Sequence, residues 1–384
     1  MSSTDPFRTP ERLALRRVVR QFIEKEVLPH LDSWERAGEL PRELHVAAGQ
    51  VGLLGVHYPE PAGGGAGDAV DLVTLVEEAL YAGASGGLIA GLLTTGISVP
   101  HLIAAGDEAQ ITRWVRPTLA GELIGALAIT EPDGGSDVGG LRTTAVRDGD
   151  VYVVNGAKTY ITSACRADFV VTAVRTGGPG ARGVSLLVIE RGTQGFTVSR
   201  KLEKMGWLCS DTAELSFVDA RVPVTNLVGA ENSGFAQIAQ HFVHERLMLA
   251  VHAYAAAQRC LDLTVDWCRL RSTFGEKLIH RQIVQHTLVE MARRIEVARV
   301  YTRNVALRHE AGEDCVTEVC FAKNTAVEAG EWVVNQAVQL HGGLGYMREA
   351  EVERQYRDMR ILGIGGGASE ILAELAAKRL GYMS

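Results

Sequence analysis

The 384-residue chain has no block of basic residues. Its 39 Lys and Arg are interleaved with 46 Asp and Glu, for a formal net charge of −7. Binding to phosphate backbones needs a basic patch or stripe, so nucleic acid is not an expected partner. Nor does any apolar run reach the roughly 18 residues needed to cross a bilayer, which argues against a membrane-spanning chain. Residues 1–12 lack the apolar core of a secretory leader. The six cysteines, Cys165, Cys209, Cys260, Cys268, Cys315 and Cys320, contain no Cys-x-x-Cys pair. Metal and disulfide frameworks are therefore not expected, and reduced thiols in a cytoplasmic protein fit best.

Hydrophobic residues make up 46% of the chain, ample for folding, and its length exceeds one ordinary core. Residues 1–122 read as helices. Thr9-Pro10-Glu11 is a helix start, and Leu13, Val18, Phe22, Val27 and Leu28 recur at helical spacing. A glycine-rich loop, 59–67, precedes a helix over 68–82, and 88–105 reads as a nearly all-apolar buried helix. Near residue 123 the period becomes alternating. Short runs at 123–129, 151–155, 169–175, 184–189, 196–201 and 213–218 are separated by turn signals at 148–150, 177–180 and 191–192. About seven strands with no helix between them predict an antiparallel barrel or sandwich over 123–232. Helical periodicity returns over 233–270, 282–311, 316–341 and 369–381, which predicts a four-helix bundle over 233–384. The expected class is α+β multidomain: an N-terminal all-α domain, a central β domain and a C-terminal bundle.

Several short stretches have a composition suited to chemistry. Thr130-Glu131-Pro132-Asp133-Gly134-Gly135-Ser136 follows a strand and predicts an open turn, with left-handed glycines and backbone N–H groups suited to phosphate. A plain surface hairpin fits it as well. In Asn155-Gly156-Ala157-Lys158-Thr159-Tyr160-Ile161-Thr162, an aromatic and a hydroxyl could flank a flat ring, or simply alternate along a strand. Arg271-Ser272-Thr273-Phe274-Gly275 joins two helices, with Gln282 opening the second, and could grip a pyrophosphate or be a solvated loop. Gln339-Leu340-His341-Gly342-Gly343 ends a helix, so it is no strand-to-helix dinucleotide fingerprint. Gly365-Gly366-Gly367 precedes the last helix, whose free N–H groups attract anions or a carbonyl oxygen. Finally, Ile238, Phe242, Glu245 and Leu249 share one otherwise apolar helix face. A carboxylate there loses hydration, its pKa rises, and it suits a general base; a structural ion pair is the alternative.

Together these motifs resemble the acyl-CoA dehydrogenase family along essentially the whole chain. The matching residues are Thr130-Glu131-Pro132 with Gly135-Ser136-Asp137, Asn155-Gly156 with Tyr160-Ile161-Thr162, Arg271 with Thr273-Phe274-Gly275, Gln339 with Gly342-Gly343, and Tyr356-Arg357-Asp358. The resemblance implies FAD in a cleft between β domain and bundle. Leu127, Ile129 and Thr130 would meet the flavin ring, and Tyr160 and Thr162 would cover it. Gly135 and Ser136 would face the pyrophosphate, with Ser136 also touching substrate. Arg271, Thr273, Phe274, Gln282, Gln339, Gly342 and Gly343 would reach the FAD of a neighbouring subunit, which implies a homotetramer (a dimer of dimers) or a heterotetramer. The implied reaction is α,β-dehydrogenation of an acyl-CoA thioester to the trans-2-enoyl-CoA, with electrons passed to an electron-transferring flavoprotein.

The chain departs from the family pattern at one critical place. Many members carry the base in the loop after the Tyr-Arg-Asp motif, and that slot is Gly366 here, which cannot take a proton. Its N–H could still bind the thioester carbonyl. Ala368 stands where a threonine is usual. Some members place the base on the first bundle helix directly before an arginine, and Glu245-Arg246 holds that position. Glu245 is therefore the expected base, Arg246 an expected substrate contact, and Glu370 the spare candidate. The bulk missing at Gly365-Gly366 suggests room for a branched or terpenoid-like acyl chain. The alternative is a non-catalytic subunit that binds FAD and acyl-CoA in a hetero-oligomer.

Overall fold

The computed structural model describes residues 5–383; the first four positions of the 1–12 segment lie outside them. The helical first part comprises α1 (Pro10–Phe22), α2 (Leu31–Ala37), α3 (Arg42–Gln50), α4 (Ala69–Tyr81), α5 (Gly86–Leu92), α6 (Thr95–Ser98), α7 (Pro100–Ala105), α8 (Glu108–Gln110) and α9 (Arg116–Leu119). Thr9 caps α1 by accepting the Arg12 N–H at 3.3 Å, with Pro10 at the first position. Leu13, Val18 and Leu28, expected inside, face outward instead. The inward line of α1 runs through Val19 and Phe22, with half-buried Arg16 beside it and Arg20 at its edge. These two arginines pair with the buried carboxylates of α4: Arg16 meets Glu77 and the exposed Arg20 meets Glu78, each at 2.7 Å. The stretch 88–105 is not one helix. Pro100 cannot donate to the preceding turn and separates α6 from α7, and a second break at Leu93–Thr94 separates α5 from α6. This segment also buries Thr94, Thr95, Ser98 and His101. No single helix among the described residues is long and apolar enough to cross a membrane.

The sheet comprises β1 (Gly125–Ala128), β2 (Thr144–Asp148), β3 (Val151–Thr162), β4 (Phe169–Arg175), β5 (Val184–Glu190), β6 (Phe196–Lys201) and β7 (Thr212–Pro223). Its order is β1-β4-β2-β3-β7-β6, with β5 on β4. Most pairings are antiparallel, as expected, but β1 runs parallel to β4 and β2 meets β4 in parallel at Thr144↔Arg175. Parallel neighbours need a long connection, and the β2–β3 hairpin inserted between β1 and β4 supplies it.

The last part comprises α10 (Gly234–Leu270), α11 (Gln282–Glu310), α12 (Val316–His341), α13 (Glu351–Met359) and α14 (Ser369–Arg379). Helices α10, α11 and α12 pack together and α14 closes on α12. The short α13 was not anticipated; it is strongly charged and buries only Val352, Gln355, Asp358 and Met359. Asp358 accepts the Trp207 N–H at 2.6 Å and the Gly86 N–H at 3.0 Å, tying bundle, sheet region and first helices together. One apolar cluster joins Leu127 and Ile129, Leu102 of α7, and Ile238 and Phe242 of α10. The end of β1, α7 and the first half of α10 therefore converge on one place.

Candidate active site

Glu245 stands on α10 among Ile238, Phe242 and Leu249, and burial raises its pKa above the usual carboxylate range. Arg246 and Lys323 pull that pKa part of the way back. Arg246 does not neutralise Glu245 by direct pairing. Its Nε donates to the Gly366 carbonyl at 2.9 Å, and its guanidinium lies over the Phe242 ring at 5.4 Å. The expected substrate contact is thus engaged in holding the glycine loop.

That loop comes back to the same point. A Cβ built on Gly366 would lie 3.6 Å from Glu245 Oε1. The vacated loop position and the helix carboxylate therefore address one spot, although 121 positions separate them along the chain (366 − 245). Gly366 and Gly367 have φ of +64° and +99°, which side chains rarely adopt. The Gly365 N–H is taken by Ile361 O at 2.8 Å, whereas no acceptor among the described residues takes the Gly366 N–H. Lys323, fully buried on α12, donates to Gly367 O at 2.7 Å. Two cations thus hold consecutive carbonyls and fix the peptide planes between them. Burial and the nearby Arg246 lower Lys323 to about 8. The extra room expected at Gly366 is largely taken up: the built Cβ would also meet Leu249 Cδ1 at 2.4 Å. Glu370 is exposed.

A second group forms around the end of β1. Leu127 and Thr130 are half-buried and Ile129 is buried, while Gly135 and Ser136 are exposed. Gly134 and Gly135 do not take the left-handed conformation expected of them. At Gly135 the requirement is closeness instead, since a Cβ would come within 3.2 Å of Thr130 Cγ2. Glu131 anchors the turn by accepting the Arg142 and Thr143 N–H groups at 2.6 and 2.8 Å. It also accepts from buried Lys158 at 2.8 Å, and Lys158 reaches Ile129 O at 2.9 Å. The Thr159 N–H adds a bond to Thr130 O at 2.9 Å. The 130–136 and 155–162 stretches are therefore one unit. Strand alternation fails where it matters: the β3–β7 register shifts between Lys158 and Ile161, and Tyr160 takes φ +59°. The bulge turns Tyr160 outward, 69% exposed, with half-buried Thr162 beyond it. Nearby, a cavity of about 480 Å³ is lined by Ser136, Gly140, Ala181 and Phe235 at the start of α10.

The third group lies at the other end of α10. Arg271 stacks over Trp267, whose ring stacks on His341 with centroids 5.4 Å apart. This brings the 271–282 and 339–343 stretches together. Thr273 and Glu276 flank a two-residue turn, Phe274-Gly275, both with positive φ. Phe274 is fully exposed, and Arg271, Gln282, Gln339, Gly342 and Gly343 are exposed too. Glu245 and Leu270 share one helix, so this group lies roughly 35–40 Å from the carboxylate at 1.5 Å per residue.

The residues around β1 suit a flavin: an aromatic turned out by a bulge, a hydroxyl beside it, and an exposed turn whose glycine admits close approach. Sequence reasoning overlooked Lys158, Lys323 and Phe235. A lysine in an otherwise alternating strand was the available signal for Lys158, with Glu131 as its partner in the neighbouring motif.

Three family models match the chain: acyl-CoA dehydrogenase N-terminal domain over residues 9–122, middle domain over 126–220 and C-terminal domain over 232–381. The mitochondrial long-chain specific acyl-CoA dehydrogenase of Rattus norvegicus is 38% identical over 95% of this chain and 85% of its own length. A crystal structure from Mycobacterium smegmatis is 68% identical with TM-score 0.98, covering 99% of this chain and all of that one. An acyl-CoA dehydrogenase from Bacillus anthracis, solved in complex with FAD, is 28% identical with TM-score 0.92, covering 99% of this chain and 69% of that one.

Proposed function

The chain belongs to the acyl-CoA dehydrogenase family of FAD-dependent oxidoreductases, and we propose that within it Glu245 is the base that starts the reaction. The observation that carries this reading is the 3.6 Å between Glu245 Oε1 and the Cβ position of residue 366. Glu245 removes the α-proton of an acyl-CoA thioester. The unspent Gly366 N–H donates to the thioester carbonyl oxygen and stabilises the negative charge that develops there. Arg246 and Lys323 hold the loop so that this donor is already in place. FAD, when bound, would supply the hydride acceptor for Cβ, which would make the product the trans-2-enoyl thioester.

In this reading Leu127, Ile129, Thr130, Tyr160 and Thr162 hold the ring, and Gly135 and Ser136 face the pyrophosphate. The cavity at Ser136 and Phe235 is the mouth through which the CoA arm enters. The exposed group of Arg271, Thr273, Phe274, Gln282, Gln339, Gly342 and Gly343 is too far from Glu245 to serve the same ring, so it completes the FAD site of a neighbouring subunit. Electrons leave to an electron-transferring flavoprotein. Anaerobic bleaching of the flavin by a panel of acyl-CoA thioesters tests the activity. Bleaching by at least one class supports it; a flavin that stays oxidised with every class would favour the non-catalytic subunit.

A further inference from the structure

Four histidines around the base helix have no part in the reaction just described. His241 precedes Glu245 by one turn on the same face of α10. Its ring meets His101 of α7 edge-on, with centroids 4.7 Å apart. On the adjoining line of α10, His244 stacks on His57 at 5.3 Å. Burial lowers the pKa of all four, to about 4 for His57 and about 3 for His101 and His244, so the rings are neutral at physiological pH.

A neutral imidazole has one donor and one acceptor to satisfy. Yet Nδ1 of His57 and His101 and Nε2 of His241 and His244 are buried without a hydrogen-bond partner. Protein interiors rarely leave such atoms unpaired without a functional reason. Metal binding is not that reason, because no His, Cys, Asp and Glu group among the described residues is arranged to hold an ion. Position supplies a better one. The Thr94–Ala105 stretch is wedged between β1 and α10. Ser98 packs so tightly on Gly125 of β1 that a Cβ there would fall 2.8 Å from Ser98 Oγ, while His101 reaches His241 on the other side. His57, His101 and His241 directly precede Tyr58, Leu102 and Phe242 of the apolar cluster that joins Leu127 and Ile129 to Ile238. From Glu245, His241 is one helical turn away on the same face, within reach of an acyl chain whose Cα meets that carboxylate. A plain hydrocarbon would leave the His101 and His241 nitrogens unpaired.

We propose that the acyl chain carries a neutral oxygen function, a hydroxyl or a carbonyl, beyond the reacting carbons, and that His101 and His241 hydrogen-bond it. This rests on the reading of Glu245 as the base and narrows its substrate. A carboxylate is disfavoured, because rings held neutral offer it no charge.

The test compares matched thioesters, a straight acyl-CoA and the same chain with a distal hydroxyl or keto group, on the FAD-loaded enzyme. Wild type is expected to prefer the oxygenated member at least about tenfold in kcat/KM, roughly the worth of one well-made hydrogen bond. His101→Phe and His241→Leu should abolish that preference while sparing the plain chain. His101→Gln, which keeps a donor, should retain it. Dissociation constants of the same pair for Glu245→Gln protein should show the same ratio without turnover. Equal handling of both members by wild type, or variants that slow both alike, would overturn the proposal. Failure of the base assignment is seen separately, as normal bleaching of Glu245→Gln.

Discussion

The two ends of α10 present opposite chemistry. Near its start, Glu245 is enclosed by this chain's own residues: Leu249 beside it, the clamped glycine loop above it, and β1 and α7 across from it. At its far end Leu270 is 76% exposed and Phe274 wholly so, beside an arginine and two exposed glycines. An apolar side chain in water and a cation with no anion are what half of a binding site looks like. On the function proposed above, the contrast means that one subunit supplies the acid–base centre whereas the cofactor site is completed by a neighbour.

Mixing subunits would break that comparison most sharply. Arg271→Ala should weaken FAD retention roughly 10- to 100-fold, the loss expected for a charge-assisted contact to phosphate, measured by the fluorescence of released flavin. Co-expressed with Glu245→Gln subunits, it should regain activity, since one hybrid site then holds both residues. No recovery in the mixture would mean that the far group serves its own subunit.

Gly366→Ala sharpens the near end. The left-handed conformation costs about 1–2 kcal/mol for a residue with a side chain, and the Cβ must displace Leu249. We expect a melting temperature lower by several degrees and a greater loss in kcat than in KM, read by calorimetry and steady-state rates. By the same geometry, Gly366→Glu should not rescue Glu245→Gln.

Lys323→Met should have the smallest effect, and it reports on charge. The base must be ionised, so rates fall as pH drops below the raised pKa of Glu245. Lys323 pulls that pKa down, so removing it should move the acid limb of the pH–rate profile to higher pH, with a few-fold loss near neutrality. An unmoved limb would separate Lys323 from the titration of Glu245.

Periodicity was enough to place most of the long elements. The apolar face carrying Glu245, the strands at 169–175 and 196–201 and the Thr9 cap all depend on neighbours within a few residues. The unanticipated features depend on distant partners. The parallel β1–β4 pairing spans an inserted hairpin, and the Glu131–Lys158 ion pair joins two motifs that read separately. The Tyr160 bulge exists because β7 imposes a register that local alternation cannot reveal. The His101–His241 contact emerged only when an expected single helix proved to be three pieces, of which α6 and α7 pack on α10.

The most direct measurement is the single-turnover rate of flavin reduction in Glu245→Gln, mixed anaerobically with a thioester that bleaches wild type. The account predicts normal FAD content and normal thioester binding, with reduction slowed roughly 10²- to 10⁴-fold, the usual contribution of a general base. Reduction at the wild-type rate would contradict it.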